Sequence, residues 1–154
     1  MTTNSSTALI TGGTSGIGRA VANKLAQLGI HVVVVGRDTK RGENTVAEIR
    51  AAGGEADFIS FDLRDASSAR EVARRAVELG NGHVDILINN AGIFPFGATH
   101  EMTEEMFDSV YSINVKAPYF ACVPSVFVGP GLTALTRTPH PTTNRSHLPT
   151  SDTL

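Results

Sequence analysis

The sequence predicts an α/β fold: a doubly wound parallel sheet, incomplete at four to five strands. Three observations carry that expectation. Short apolar runs rich in β-branched residues alternate with stretches of helical period, the signature of βαβ units. The runs are almost continuously apolar, as strands are when helices cover both faces of a sheet. A glycine-rich turn also falls directly between the first strand and the first helix.

The strands are expected at about Thr7 to Thr11, Ile30 to Gly36, Ala56 to Phe61 and Val84 to Asn89. The first helix carries Ile17, Val21, Leu25 and Leu28 at spacings of four, four and three, which predicts that this side faces the sheet. Gly29 then ends it, because glycine enters the left-handed region most easily. The second helix is expected over about Lys40 to Ala52, with Val46 and Ile49 inward and Gly53 as its stop. Asp65 is placed to cap the third, whose Ala69, Val72, Ala73 and Ala76 form a packing stripe while Arg70, Glu71, Arg74, Arg75 and Glu78 stay wet. Thr103 caps a fourth helix, with Glu104 and Glu105 at the positive end of its dipole. Its stripe of Met102, Met106, Val110, Ile113 and Ala117 reads as core or as a subunit contact, so a homo-oligomer could form through this helix.

Beyond Ala121 the character of the chain changes. Val123 to Val128 suits a fifth strand, but Pro124 and Pro130 bracket it, and Gly129, Pro130 and Gly131 interrupt any element beyond it. Residues 139–154 are poor in large apolar side chains and are expected to be disordered. The expected organisation is a dinucleotide-binding unit over residues 1–122, a remnant at 123–138 and a tail at 139–154.

Composition narrows the function. The 154 residues are 41% hydrophobic and 18% charged, ordinary values for one globular domain. Thirteen Lys plus Arg against fifteen Asp plus Glu leave no cationic surplus for a phosphate backbone, which argues against nucleic acid. No apolar run, that of Val32 to Val35 included, comes near the roughly 20 residues that span a bilayer. The first residues lack the basic and apolar regions of a secretory signal, so the cytoplasm is expected. Cys122, the single cysteine, lies in an apolar string and reads as a small buried residue. No metal-ligand cluster stands out.

The most informative stretch is Thr11-Gly-Gly-Thr-Ser-Gly-Ile-Gly18. A dinucleotide's pyrophosphate needs a backbone it can approach closely and a helix N-terminus whose free N–H groups point at it. Gly12, Gly16 and Gly18, with Thr14, Ser15 and Ile17 between them, offer both in a G-x-x-x-G-x-G spacing, a variant of the Rossmann G-x-G-x-x-G. At the tip of the second strand stand Gly36, Arg37 and Asp38, where an acidic residue would hold a ribose diol and an arginine a 2'-phosphate. Arg37, with Lys40 and Arg41 nearby, favours NADP(H); Asp38 leaves NAD open.

These residues resemble the short-chain dehydrogenases/reductases of the classical type, a Rossmann-like family. The match rests on the glycine turn, Asp62-Leu63 after the third strand, Asn89-Asn90-Ala91-Gly92 at the end of the fourth, and Asn114 within Ser112-Ile-Asn-Val-Lys116, covering about residues 5–121. The resemblance implies that Asp62, with Leu63, contacts the adenine ring, that Asn90, Ala91 and Gly92 line the cofactor and steady the sheet, and that Asn114 belongs to the catalytic tetrad. On their own, Asn89 and Asn90 read equally as turn formers, and Asn114 as a solvated polar residue. The implied activity is hydride transfer between a nicotinamide cofactor and a small-molecule ketone or alcohol.

Members of that family hold a Tyr-x-x-x-Lys pair, the lysine cation making the tyrosine a usable acid/base, and an upstream serine. Here the only tyrosines are Tyr111 and Tyr119, with Val115 and Val123 four positions on. Ser125 follows Asn114 too closely to be the catalytic serine. Gly131 to Thr138 looks like the helix that follows the family's lysine, as though the intervening segment were deleted and the chain truncated. The expectation is therefore a cofactor-binding half with little activity. Two rivals remain open: a non-catalytic module that associates with intact homologues, and an S-adenosylmethionine-dependent methyltransferase, which would favour a carboxylate where Arg37 stands. Ile93, Phe94, Pro95 and Phe96 either border a substrate pocket or pack.

Overall fold

The computed structural model describes residues 6–122. The expectations for a fifth strand, for the remnant at 123–138 and for the tail lie outside the described residues. Strands β1 (Thr7–Thr11), β2 (His31–Gly36), β3 (Ala56–Ser60) and β4 (Ile86–Asn89) form one parallel sheet in the order β3-β2-β1-β4. Leu9 sits opposite Val33 on one side and Leu87 on the other, which fixes the register of the central strand.

The chain first winds outward from β1 to β3, then returns across β1 to place β4 on the other side. Helices α1 (Gly16–Gln27) and α2 (Thr39–Ala51) cover one face, and α3 (Ala66–Leu79) the other. The core is accordingly split in two. Ala8, Ile10, Val32, Val34 and Ala56 meet Ala22, Ala26, Val46 and Ile49, whereas Leu9, Val33, Val35 and Ile59 meet Val72 and Ala76. Successive residues of each strand point to opposite faces, so burial on both sides explains the unbroken apolar runs.

Two expectations need correction, and a third is resolved in part. The buried stripe of α1 is Gly18, Ala22 and Ala26, while Ile17 is 78% and Leu28 64% exposed. Helix and sheet approach closely beside the glycine turn, so small residues fill the inward face there; of the expected stripe, Leu25 still packs against the core. Cys122 is exposed: it follows the last described helical turn, beside Asn89 of the edge strand β4. The Met102 stripe is graded, with Ala117 buried, Val110 and Ile113 half-buried, and Met102 and Met106 exposed. It therefore joins the core only at its C-terminal end.

The caps behave as read. Asp65 accepts the Ser68 N–H while the Ser68 hydroxyl accepts the Asp65 N–H, a reciprocal box at the start of α3. Thr103 accepts the Met106 N–H at the start of α4 (Glu104–Tyr111). From there the helix widens into a π-turn over Ser112–Lys116 and continues as α5 (Ala117–Ala121), which packs on α3. Pro118 explains the widening. It cannot donate to the carbonyl of Asn114, and its ring crowds that carbonyl.

Candidate functional site

An open cleft of about 570 Å³ lies beyond the carboxyl ends of the strands, where the winding reverses between β1 and β4. In open α/β sheets this is where ligands bind. The glycine turn contributes Gly12, Thr14, Ser15, Gly16 and Ile17, and the β2 tip contributes Arg37, Asp38 and Arg41. Phe61, Asp62 and Leu63 follow β3, and Asn90, Ala91, Gly92 and Ile93 follow β4. Ile113 closes one wall from the π-turn. Of the residues singled out in the sequence, Gly18 and Asn114 hold the walls of the cleft without lining it, while Phe94, Pro95 and Phe96 lie outside it, both phenylalanines exposed.

Gly18 is buried under the floor. A Cβ there would fall 2.5 Å from Asn90 Nδ2 and against the Gly12 carbonyl, and a Cβ on Gly12 would lie 2.9 Å from the same amide nitrogen. Gly16 has φ +51° and opens onto free space, so it turns the chain into α1 without a side chain in the way. Ser15, at the N-cap, makes no side-chain cap, and the first turn holds no acidic residue. The first N–H groups of α1 are left for a ligand, and the helix dipole favours an anion there.

Asn90 fastens this turn to β4. Its Nδ2 donates to the carbonyls of Thr11 (3.2 Å) and Gly12 (3.0 Å). The Thr11 hydroxyl in turn accepts the N–H groups of Asn90 and Ala91, each at 3.1 Å. Two strand ends are thereby locked together at the switch point.

Asn114 holds the opposite wall. Its Oδ1 accepts the Ile93 N–H at 2.9 Å and its Nδ2 donates to the Ile93 carbonyl at 2.8 Å. Gly92 permits the approach, since a Cβ there would meet Asn114 Oδ1 at 3.2 Å. Ser112 of the same π-turn donates to the Arg64 carbonyl at 2.6 Å, tying in the segment that carries Asp62 and Leu63.

The charges at the β2 and β3 tips differ in their commitments. Asp38 caps α2: Oδ1 accepts the Arg41 N–H at 2.9 Å and Oδ2 accepts Arg41 Nε at 2.7 Å. Those two bonds hold its carboxyl below the usual carboxylate range. Asp62 accepts Arg64 Nε at 2.6 Å, which raises the Arg64 guanidinium above its ordinary value. Arg37 is exposed at the rim and has no ion pair among the described residues. Neither Tyr111 nor Tyr119 lines the cleft. No metal-binding cluster occurs, and no helix is long and apolar enough to cross a membrane, among the described residues.

Sequence reasoning passed over three contributors and read a fourth only in part. Thr11 looked like a strand end, yet its hydroxyl organises the β4 exit. Ile113 looked like stripe, yet it faces the cleft because the π-turn rotates it, and Pro118 was the available signal. Arg41 counted only as nearby charge. Ile93, read as either a pocket border or packing, lines the cleft, but the grip of Asn114 on its backbone has no residue-type signal.

A family profile described as short chain dehydrogenase matches residues 6–127. An uncharacterized oxidoreductase of Thermotoga maritima is 42% identical over 111 residues, 72% of this chain and 43% of that protein. The crystal structure of a metagenomic short-chain oxidoreductase in complex with NADP superposes with a TM-score of 0.73 at 36% identity, covering 81% of this chain and 57% of that one. A short chain dehydrogenase from Burkholderia cenocepacia in complex with NADP gives 0.72 at 37%, covering 77% and 48%. The chain thus spans less than half the length of its Thermotoga relative.

Proposed function

The chain belongs to the short-chain dehydrogenase family, and from that premise we propose that it holds NADP(H) in the cleft as the cofactor-binding half of an oxidoreductase acting on a small carbonyl or alcohol. The proposed setting is the cytoplasm. One observation carries the reading: an uncapped helix N-terminus and a glycine-rich turn face the same cleft as Arg37, which has no ion pair among the described residues.

The residues present fit the group. The amides of the Gly12 to Gly18 turn would hold the diphosphate, Arg37 the 2'-phosphate, and Asp62 with Leu63 the adenine side. Asn90, Ala91 and Gly92 would line the remainder, and the metagenomic and Burkholderia relatives bind NADP. Bound NADP(H) supplies the hydride exchanged with the substrate carbon. Asn114 is proposed to serve catalysis by fixing the Ile93 backbone at the wall where a substrate would stand.

Proton transfer is the missing part. Neither tyrosine of the 154 residues has a lysine four positions on to favour its phenolate, so these residues alone should bind coenzyme and turn over little. A second reading, a non-catalytic module pairing with intact homologues or with a second copy, is favoured by Phe107, Tyr111, Val115 and Tyr119, all exposed at a spacing of four along one helix.

Calorimetric titration with NADPH, NADH and S-adenosylmethionine tests the proposal. Saturable NADPH binding with little ketone reduction is expected. S-adenosylmethionine binding without NADPH binding would overturn it, and substantial turnover would refute the low-activity part.

A further inference from the structure

Asp38 stands at the rim where a carboxylate would select the ribose diol of NAD, so its side-chain geometry bears directly on cofactor choice. Both of its oxygens are already engaged by one residue, Oδ1 with the Arg41 N–H and Oδ2 with Arg41 Nε. Arg41 also lines the cleft, on the same rim as Arg37. We infer that Arg41 is a specificity-determining residue that acts through Asp38, occupying the carboxylate that would otherwise accept a ribose hydroxyl and repel a 2'-phosphate. The inference rests on the proposed binding of NADP(H) in this cleft.

The two engagements are separable. The bond to Oδ1 comes from the backbone and survives substitution of the Arg41 side chain by any residue but proline, so α2 keeps its cap. The bond to Oδ2 comes only from the guanidinium. Removing that side chain frees one carboxylate oxygen at the rim while leaving the fold's requirement met. Three cations, Arg37, Lys40 and Arg41, flank the single carboxylate of Asp38 on this tip. With Arg41 tied to Asp38, Arg37 remains to meet an added phosphate, and the tip carries no uncompensated negative charge. With Arg41 gone, Asp38 and a phosphate dianion would face one another.

A simple cation and a residue acting through Asp38 predict different outcomes, because only the second couples the two sites. The test measures dissociation constants of the full chain for NADPH and NADH in the native protein, Arg41→Ala, Asp38→Ser and the double variant; serine retains the N-cap. Arg41→Ala is expected to weaken NADPH and tighten NADH, lowering the preference for NADPH by about tenfold or more. Adding Asp38→Ser to Arg41→Ala should cancel the gain for NADH and restore most of the preference, whereas Asp38→Ser alone changes little. If Arg41→Ala weakens NADPH with NADH unchanged, or if Asp38→Ser restores nothing in that background, the inference is overturned. Should Arg41→Ala lose its circular dichroism, Arg41→Met, with a similar stem and no donor, takes its place. Failure of the native chain to bind either coenzyme strikes the proposed function instead, and is read before any variant.

Discussion

Both ends of the Asn114 carboxamide are bonded to the backbone of Ile93, 21 residues earlier, at 2.9 and 2.8 Å. A side chain on a helix thus fixes the loop that leaves β4, and it does so from a π-turn that Pro118 imposes. Asn114→Ala should remove protection of the Ile93 amide in hydrogen exchange and cost about 1–2 kcal/mol in urea unfolding, since two bonds at a partly exposed site are lost. Asn114→Asp keeps the acceptor and should retain protection of that amide. Equal loss in both variants would contradict the geometry.

Thr11 is 3% exposed, and its hydroxyl accepts two backbone N–H groups. Thr11→Val keeps the shape but leaves the Asn90 and Ala91 donors without that acceptor, so a loss of about 1–3 kcal/mol is expected in denaturant unfolding. Thr11→Ser should recover most of it.

Gly18→Ala forces a Cβ against the Gly12 carbonyl and Asn90 Nδ2. Neither neighbour yields easily, as one is backbone and the other donates two bonds. A destabilisation of about 1–3 kcal/mol and loss of NADPH binding are expected. Ile17→Ser provides the contrast: at 78% exposure it should leave the melting temperature nearly unchanged while weakening coenzyme, because Ile17 lines the cleft.

The same residues show how far the sequence reached. The four strands lie within two positions of their expected bounds, because burial on both faces leaves an unmistakable apolar run. The caps at Asp65 and Thr103 were equally plain, since short polar side chains before an apolar period have few other uses. The α1 stripe was misread because hydropathy gives weight to Ile17 and Leu28, whereas close packing beside the turn selects Gly18, Ala22 and Ala26. At the site, residue types announced the glycine turn, Arg37 and Asn90. Two things escaped: contact made through backbone, at Ile93, and orientation set by the π-turn, at Ile113.

Asp65 also governs response to acid. Its bond from the Ser68 N–H holds the carboxyl below the ordinary 3.8, so the folded state keeps it ionised to lower pH than the unfolded chain does. The stabilisation is complete above that value and is lost as pH falls through the lowered one. Asp65→Asn keeps a cap that does not titrate. The native chain should therefore lose more stability than this variant as pH drops below about 4, measured by urea midpoints across the series. Parallel curves would show that Asp65 makes no such contribution.

The most direct test of the central claim is an amide chemical-shift map of the native chain titrated with NADPH. Saturable shifts should concentrate in residues 12–18, with a second group at 37–41 and smaller ones at 62–63 and 90–92. An unperturbed glycine turn at a coenzyme concentration that saturates shifts elsewhere would contradict it.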